Sequence, residues 1–207
     1  MDLISRVATA GVLVLALGGS YRLFTERRQE SRSFVAERND GLSAESEHFS
    51  PAEDLERIDV EELRAAARRL RGTRTPLNVA MYSFTDTIIA RVLDDEADAG
   101  TTIRVYRDGE QFGEEERGRS GRNSVATIFQ GHRNIQIRVK PLSRSELMHL
   151  KCWSDGRTLR DGSANWSPAG LKRQDNEVRF TTDPKEVQEF NLDFEQMWNR
   201  PGNIVVQ

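Results

Sequence analysis

A single cysteine, Cys152, in 207 residues has no partner in the chain, which excludes an internal disulfide framework and a Cys-rich zinc site. A surplus of charge of either sign is also lacking: 30 Lys and Arg stand against 33 Asp and Glu, for a formal net charge of -3. Composition therefore announces neither a general nucleic-acid binder nor an acidic solvating chain, and any polyanion site must be local. Internal repeats are absent, as is any compact cluster of His, Asp and Glu of the kind a metal ion needs, so neither a metal nor a cofactor is expected. Long apolar runs are scarce too. The one present, Leu3 to Phe24, is interrupted by Arg6, Arg22 and a few small polar residues. It suits a spanning anchor, which needs ~20 apolar residues, if both arginines snorkel; it also suits the shorter core of a cleaved signal peptide. Arg22, Arg27, Arg28 and Arg32 follow at once and favour a single-pass anchor through residues 3–24, with export after cleavage as the alternative.

What is present sorts into three regions: the apolar segment 1–24, a polar tether over 25–50 without apolar periodicity, and a folded domain over 51–207. In "DVEELRAAARRLRG" Asp59 reads as an N-cap with Glu62 at N3, followed by a stripe of Leu63, Ala66, Ala67 and Leu70. Residues 77–84, 86–100 and 102–108 then read as strand, helix and strand, a parallel pair with a crossover helix. A loop over 109–120, a short helix over 121–131 and a strand over 135–140 follow. Asp155-Gly156 marks a tight hairpin between two strands. Residues 176–180 read as a further strand. The closing helix has Asp183 as N-cap, Pro184 at N1, and Val187, Phe190, Phe194 and Met197 on one face. The expected fold class is α/β: a mixed, mostly parallel sheet flanked by helices and preceded by an N-terminal hydrophobic helix.

The chemistry concentrates in "MHLKCWSDGRTLRDGSANWS", residues 148–167. Residues two apart on a strand share a face, so His149 and Lys151 point one way and Leu150 and Cys152 the other. Cys152 then reads as an inert buried thiol, and Trp153 and Trp166 as core. The hairpin returns Gly162, Ser163 and Asn165 past the first strand, adding a small residue, a hydroxyl and a carboxamide. An ammonium and an amide around an imidazole suit a phosphoryl group, whose transition-state charge needs prearranged donors. The imidazole could act as nucleophile or as general acid and base. Seven basic residues without an acidic one run from Arg117 to Arg144, with Arg119, Arg122, Arg133, Arg138 and Lys140 among them. They read as a solvated face or as a fringe for a phosphate backbone or anionic headgroup. Glu114 to Glu116 interrupt any continuous track.

These residues resemble the phospholipase D superfamily, whose signature is His-x-Lys, four residues, Asp, six residues, Gly-Ser-x-Asn. The similarity extends through 79–86 and 162–177 and so over most of 50–200. One spacing departs: three residues rather than four separate Lys151 from Asp155. A shorter hairpin arm or a bulge would absorb the change and leave His149 and Lys151 in place. The resemblance implies a metal-independent phosphoric diester hydrolase in which His149 forms a phosphohistidine. Lys151 and Asn165 would hold the nonbridging oxygens, Ser163 would assist, and Glu177 would orient a histidine. Asp155, at the turn, would take a supporting role, with Gly162, Arg138 and Lys140 on the substrate side. One motif per chain implies a homodimer that completes the site. The implied substrate is nucleic acid, as for an endonuclease, or phospholipid, as for a dedicated phospholipase D. A catalytically inactive, membrane-tethered polyanion binder is the rival that the altered spacing motivates.

Overall fold

The computed structural model describes residues 44–118, 124–142 and 146–207. The expected anchor, most of the tether, and Arg119, Arg122 and Arg144 lie outside them. In chain order the elements are β1 (Glu45–Ser50), α1 (Leu55–Leu70), β2 (Leu77–Met81), α2 (Thr87–Asp98), β3 (Ile103–Arg107), α3 (Gly109–Gly118), α4 (Val125–Phe129) and β4 (Ile135–Val139). Then come β5 (Lys151–Ser154), β6 (Leu159–Gly162), α5 (Pro168–Lys172), β7 (Asn176–Thr181), α6 (Pro184–Trp198) and β8 (Ile204–Val205). Among the described residues, no helix is long and apolar enough to cross a membrane.

All eight strands join one sheet in the order β1-β7-β6-β5-β2-β3-β4-β8. The sheet is mixed, as expected, but it is not mostly parallel. Only β2–β3 and β3–β4 run parallel, and the other neighbours are antiparallel. The reason is the connections. A crossover helix links β2 to β3 and lets both strands run the same way, whereas the Asp155-Gly156 turn forces β5 and β6 to oppose each other.

Helices cover both faces. Leu77, Val79 and Met81 of β2 pack with Leu55, Leu63, Ile89 and Leu93 of α1 and α2, together with Phe129, Trp153 and Trp166. Ala80 and Cys152 face the other way, onto Val187, Phe190, Phe194 and Trp198 of α6. Burial on both faces accounts for the unbroken apolar reading of β2. Trp153 and Trp166 are both fully buried, as expected, and Cys152 is a buried free thiol on the α6 side.

Three local expectations are corrected. Glu45–Ser50, placed in the tether, pair with β7 along their whole length; the strand lacked a two-residue apolar period because its first half is exposed and only its last residue is buried. The loop at 109–120 is largely α3, whose first turn is capped when Asp108 accepts from the Glu110 and Gln111 amides, each at 3.1 Å. Helix α1 starts earlier than read: Asp54 is its N-cap, accepting from the Arg57 amide at 3.2 Å, and Asp59 lies inside the helix on its buried face. The closing helix starts as expected, Asp183 accepting from the Lys185 and Glu186 amides with Pro184 in the first turn.

Candidate active site

The site sits where β5 enters the sheet beside the end of β2. Lys151 pairs with Met81, and the Tyr82 amide donates to the Leu150 carbonyl at 2.9 Å, so the residues following β2 lie against His149. His149 and Lys151 share a face as their spacing requires: Lys151 Nζ lies 3.0 Å from His149 Nδ1 and donates to the His149 carbonyl at 2.6 Å. The Tyr82 ring tilts against the imidazole with centroids 4.6 Å apart, and the ammonium lies 5.1 Å from the centre of the same ring. Lys151 is buried while His149 is exposed, so the cation is fixed and the imidazole is open to solvent.

That burial governs the titration. Desolvation pulls the Lys151 ammonium down from 10.5 to about 8. Burial and then the neighbouring ammonium hold the His149 imidazole below its usual 6.5, with the Asp108 carboxylate opposing them. Asp108 also fixes the approach to the site, accepting from the Met148 amide at 2.9 Å while it caps α3.

Asn165 reaches the same place from β6. A bridge between Phe84 and Trp166, and the amides of Thr85 and Asp86 donating to the Trp166 carbonyl, tie its loop to the end of β2. Its Oδ1 accepts from the Ser83 amide at 3.2 Å, so the Nδ2 hydrogens are turned away from that bond and available to a ligand. Ser83 is itself held by Glu115 Oε1 at 2.7 Å, and Glu115 pairs with the buried Arg107. The middle of the acidic run at 114–116 is thus structural rather than a barrier on the surface.

Gly162 has φ 133°, and a Cβ there would lie 2.2 Å from the Glu177 carbonyl oxygen. Gly162→Ala is therefore expected to cost at least ~1–3 kcal/mol from backbone conformation alone and to push β6 from β7. Urea unfolding checks the loss, and an unchanged midpoint would contradict the contact.

The other expected residues divide. The Ser163 hydroxyl donates to Asn176 Oδ1 and accepts from the Glu177 amide, both at 3.0 Å, so it is committed to β7. The Glu177 carboxylate makes no hydrogen bond among the described residues; its backbone carbonyl accepts from the Ser163 amide. Asp155 shapes the hairpin, accepting from the Arg157 and Thr158 amides at 2.9 and 2.7 Å and pairing with Arg69 at 2.7 Å. The register through Trp153–Arg160 and Ser154–Leu159 shows a short arm without a bulge. Arg138 lies on β4 and Lys140 just after it, with β2 and β3 between β4 and β5. Arg138 stacks on Trp198 and donates to its carbonyl at 2.7 Å, and the Lys140 ammonium donates to the Glu146 carbonyl. Tyr82, Ser83 and Asp108 escaped the sequence reading; their position at the carboxyl ends of β2 and β3, where α/β sheets place ligands, was the available signal. No three His, Cys, Asp or Glu side chains converge as a metal site among the described residues.

The family described as "Cardiolipin synthase, PLD-like domain" matches residues 67–198. Two proteins named mitochondrial cardiolipin hydrolase are similar: that of Chlamydomonas reinhardtii is 25% identical over 128 residues, covering 61% of this chain and 52% of the relative. That of Danio rerio is 26% identical over 140 residues, covering 67% and 58%. The chain thus spans little more than half the length of either relative. Among solved structures, NucT from Helicobacter pylori superposes with a TM-score of 0.57 at 19% identity, covering 75% of this chain and 96% of that one. Nuc, a phospholipase D family member from Salmonella typhimurium, gives 0.58 at 21%, covering 79% and 97%. These two likenesses concern the fold. With the family match running unbroken from the last turn of α1 to the end of α6, the chain belongs to the phospholipase D superfamily.

Proposed function

We propose that the chain is a phosphodiesterase that works through a phosphohistidine on His149, with nucleic acid as its substrate. The observation that carries this reading is the contact between an exposed imidazole and a buried ammonium, with the Asn165 carboxamide fixed beside the same strand end. A phosphoryl group arriving there draws the Lys151 ammonium onto its nonbridging oxygens and frees Nδ1 from it. With Nδ1 freed, the single imidazole proton exchanges from Nε2 to Nδ1 through solvent, and the Nε2 lone pair attacks phosphorus. The P–O bond to the leaving group breaks, and that oxygen takes a proton from an acid. In the second step water gives its proton to the same group, attacks phosphorus and breaks the P–N bond.

One chain supplies one imidazole to this site, so a second copy related by a two-fold axis provides the acid and base. The unbonded Glu177 carboxylate is the group we assign to orienting a histidine across that axis. Exposure of His149, Gly162 and Ser163 lets a polymer strand lie across the surface without entering a tunnel. A phospholipid substrate is the second reading, favoured by the names of the curated relatives. The exposed Leu147 and Leu150, which flank His149 in the chain, also favour it.

The test incubates the protein in EDTA with labelled single-stranded DNA, with RNA, and with vesicles containing cardiolipin or phosphatidylcholine. Cleavage of nucleic acid supports the first reading and release from lipid the second. Binding of nucleic acid without any turnover would sink both and leave an inactive polyanion binder. Turnover that EDTA abolishes would contradict the histidine route. A monomer in ultracentrifugation at full activity would overturn the shared site.

The pH dependence follows from the two titrations. Attack needs His149 neutral, and its lowered value places the acid limb of kcat/KM below 6.5. The phosphate grip needs Lys151 charged, so activity is lost as pH rises through about 8, in addition to the loss when the second copy's acid gives up its proton. A kcat/KM profile measured on the free enzyme reads both limbs, and a plateau extending above pH 9 would contradict a catalytic role for a depressed Lys151.

A further inference from the structure

Beneath the site lies an ion pair that is not part of the chemistry. Asp59 of α1 and Arg160 of β6 are both fully buried and paired at 3.0 Å. The carboxylate is saturated with donors: Arg160 Nε and Nη2 at 3.2 and 3.0 Å, Trp153 Nε1 at 3.3 Å and Trp166 Nε1 at 3.1 Å. The guanidinium has donors left over, and it spends them on two backbone carbonyls. Nη1 donates to the Lys151 carbonyl, and Nη2 donates to the Ala164 carbonyl at 3.1 Å. Ala164 precedes Asn165 in the Gly-Ser-x-Asn loop. One rigid fork thus ties the peptide unit of the lysine to the peptide unit leading into the carboxamide.

A buried pair of this kind is not needed for stability alone, since well-packed apolar residues of similar volume often serve as well. What an apolar pair cannot do is bridge two carbonyls, one on β5 and one in the loop that follows β6. The planar guanidinium fixes their separation, which a lysine with its single ammonium centre would not. We propose that Arg160, oriented by Asp59, is a positioning residue that sets the distance between Lys151 and Asn165 across the phosphate site. This rests on the reading of those two residues as the phosphate grip. The guanidinium also contributes to lowering the Lys151 ammonium, behind desolvation. Its removal therefore has an electrostatic signature that a purely structural residue lacks.

The experiment compares the full chain with the double variant Asp59→Asn, Arg160→Gln and with Arg160→Lys, using bis(p-nitrophenyl) phosphate. The double variant keeps the volume without the charges. It is expected to melt cooperatively, to lose at least about tenfold in kcat with KM changed less than threefold, and to show its alkaline limb at higher pH. Arg160→Lys keeps the charge without the fork, so it is expected to lose rate while the limb stays in place. A folded double variant with the rate and limb of the parent would overturn the proposal, as would Arg160→Lys at full rate. A parent without turnover would count against the phosphodiesterase reading instead. The proximity of the guanidinium charge to Lys151 is then read from NMR titration of 13Cε-labelled lysine, in which Lys151 is distinguished from Lys140, Lys172 and Lys185 by Lys151→Arg. An upward shift of the Lys151 titration in the double variant supports the proposal, and an unmoved titration overturns it. If the double variant does not fold, the rate of Arg160→Lys decides in its place.

Discussion

His149→Ala is expected to abolish phosphodiester turnover, with kcat down ~10⁴-fold or more, because it removes the atom to which phosphorus is transferred. The fold should survive. The imidazole is exposed, and it lies against Tyr82 and Lys151. No core contact is lost, so the melting temperature should move by a few degrees at most. The same variant should fail to accumulate an acid-labile, base-stable phosphoramidate when quenched during turnover, a species visible by 31P NMR in the parent. Residual turnover within tenfold of the parent would show that another group attacks phosphorus.

Asp59→Ala carries the largest expected cost in stability, about 3–5 kcal/mol, because truncating one partner leaves a fully buried guanidinium without its counter-charge. Two indole N–H groups lose their acceptor in the same step. Against a typical domain stability of ~5–15 kcal/mol, the variant should unfold at a much lower urea concentration or fail to accumulate. A midpoint displaced by less than ~1 kcal/mol would mean that Arg160 is compensated by groups other than Asp59. The contrast between the two variants is informative: one removes chemistry from an intact scaffold, and the other removes the scaffold's central charge without touching the surface.

The sequence offered no hint of that second role. A capping aspartate and a buried one look alike in a string of letters, and Asp59 stood before a good apolar stripe, where an N-cap belongs. Asp54, five residues earlier, makes the same local bond, and the helix started there because Leu55 and Ile58 also had a core to enter. The basic stretch shows the same limit of local reading. Arg138 on β4 and Lys140 just after it are near the site in sequence, but β2 and β3 separate β4 from β5, and both cations donate to backbone carbonyls, those of Trp198 and Glu146.

What the sequence determined by itself was everything set within a few residues. The shared face of His149 and Lys151 follows from the two-residue pleat, the turn at Asp155-Gly156 from its dipeptide, and the start of α6 from Asp183 and Pro184. Tertiary structure alone decided which strands became neighbours and in which direction. It also decided that Tyr82 leans on the imidazole, that Ser163 is turned to β7, and that one arginine spans Lys151 and Ala164. The division has a physical cause. Backbone geometry imposes the local periods on any sequence, whereas the long-range pairs exist only after distant segments have been buried together.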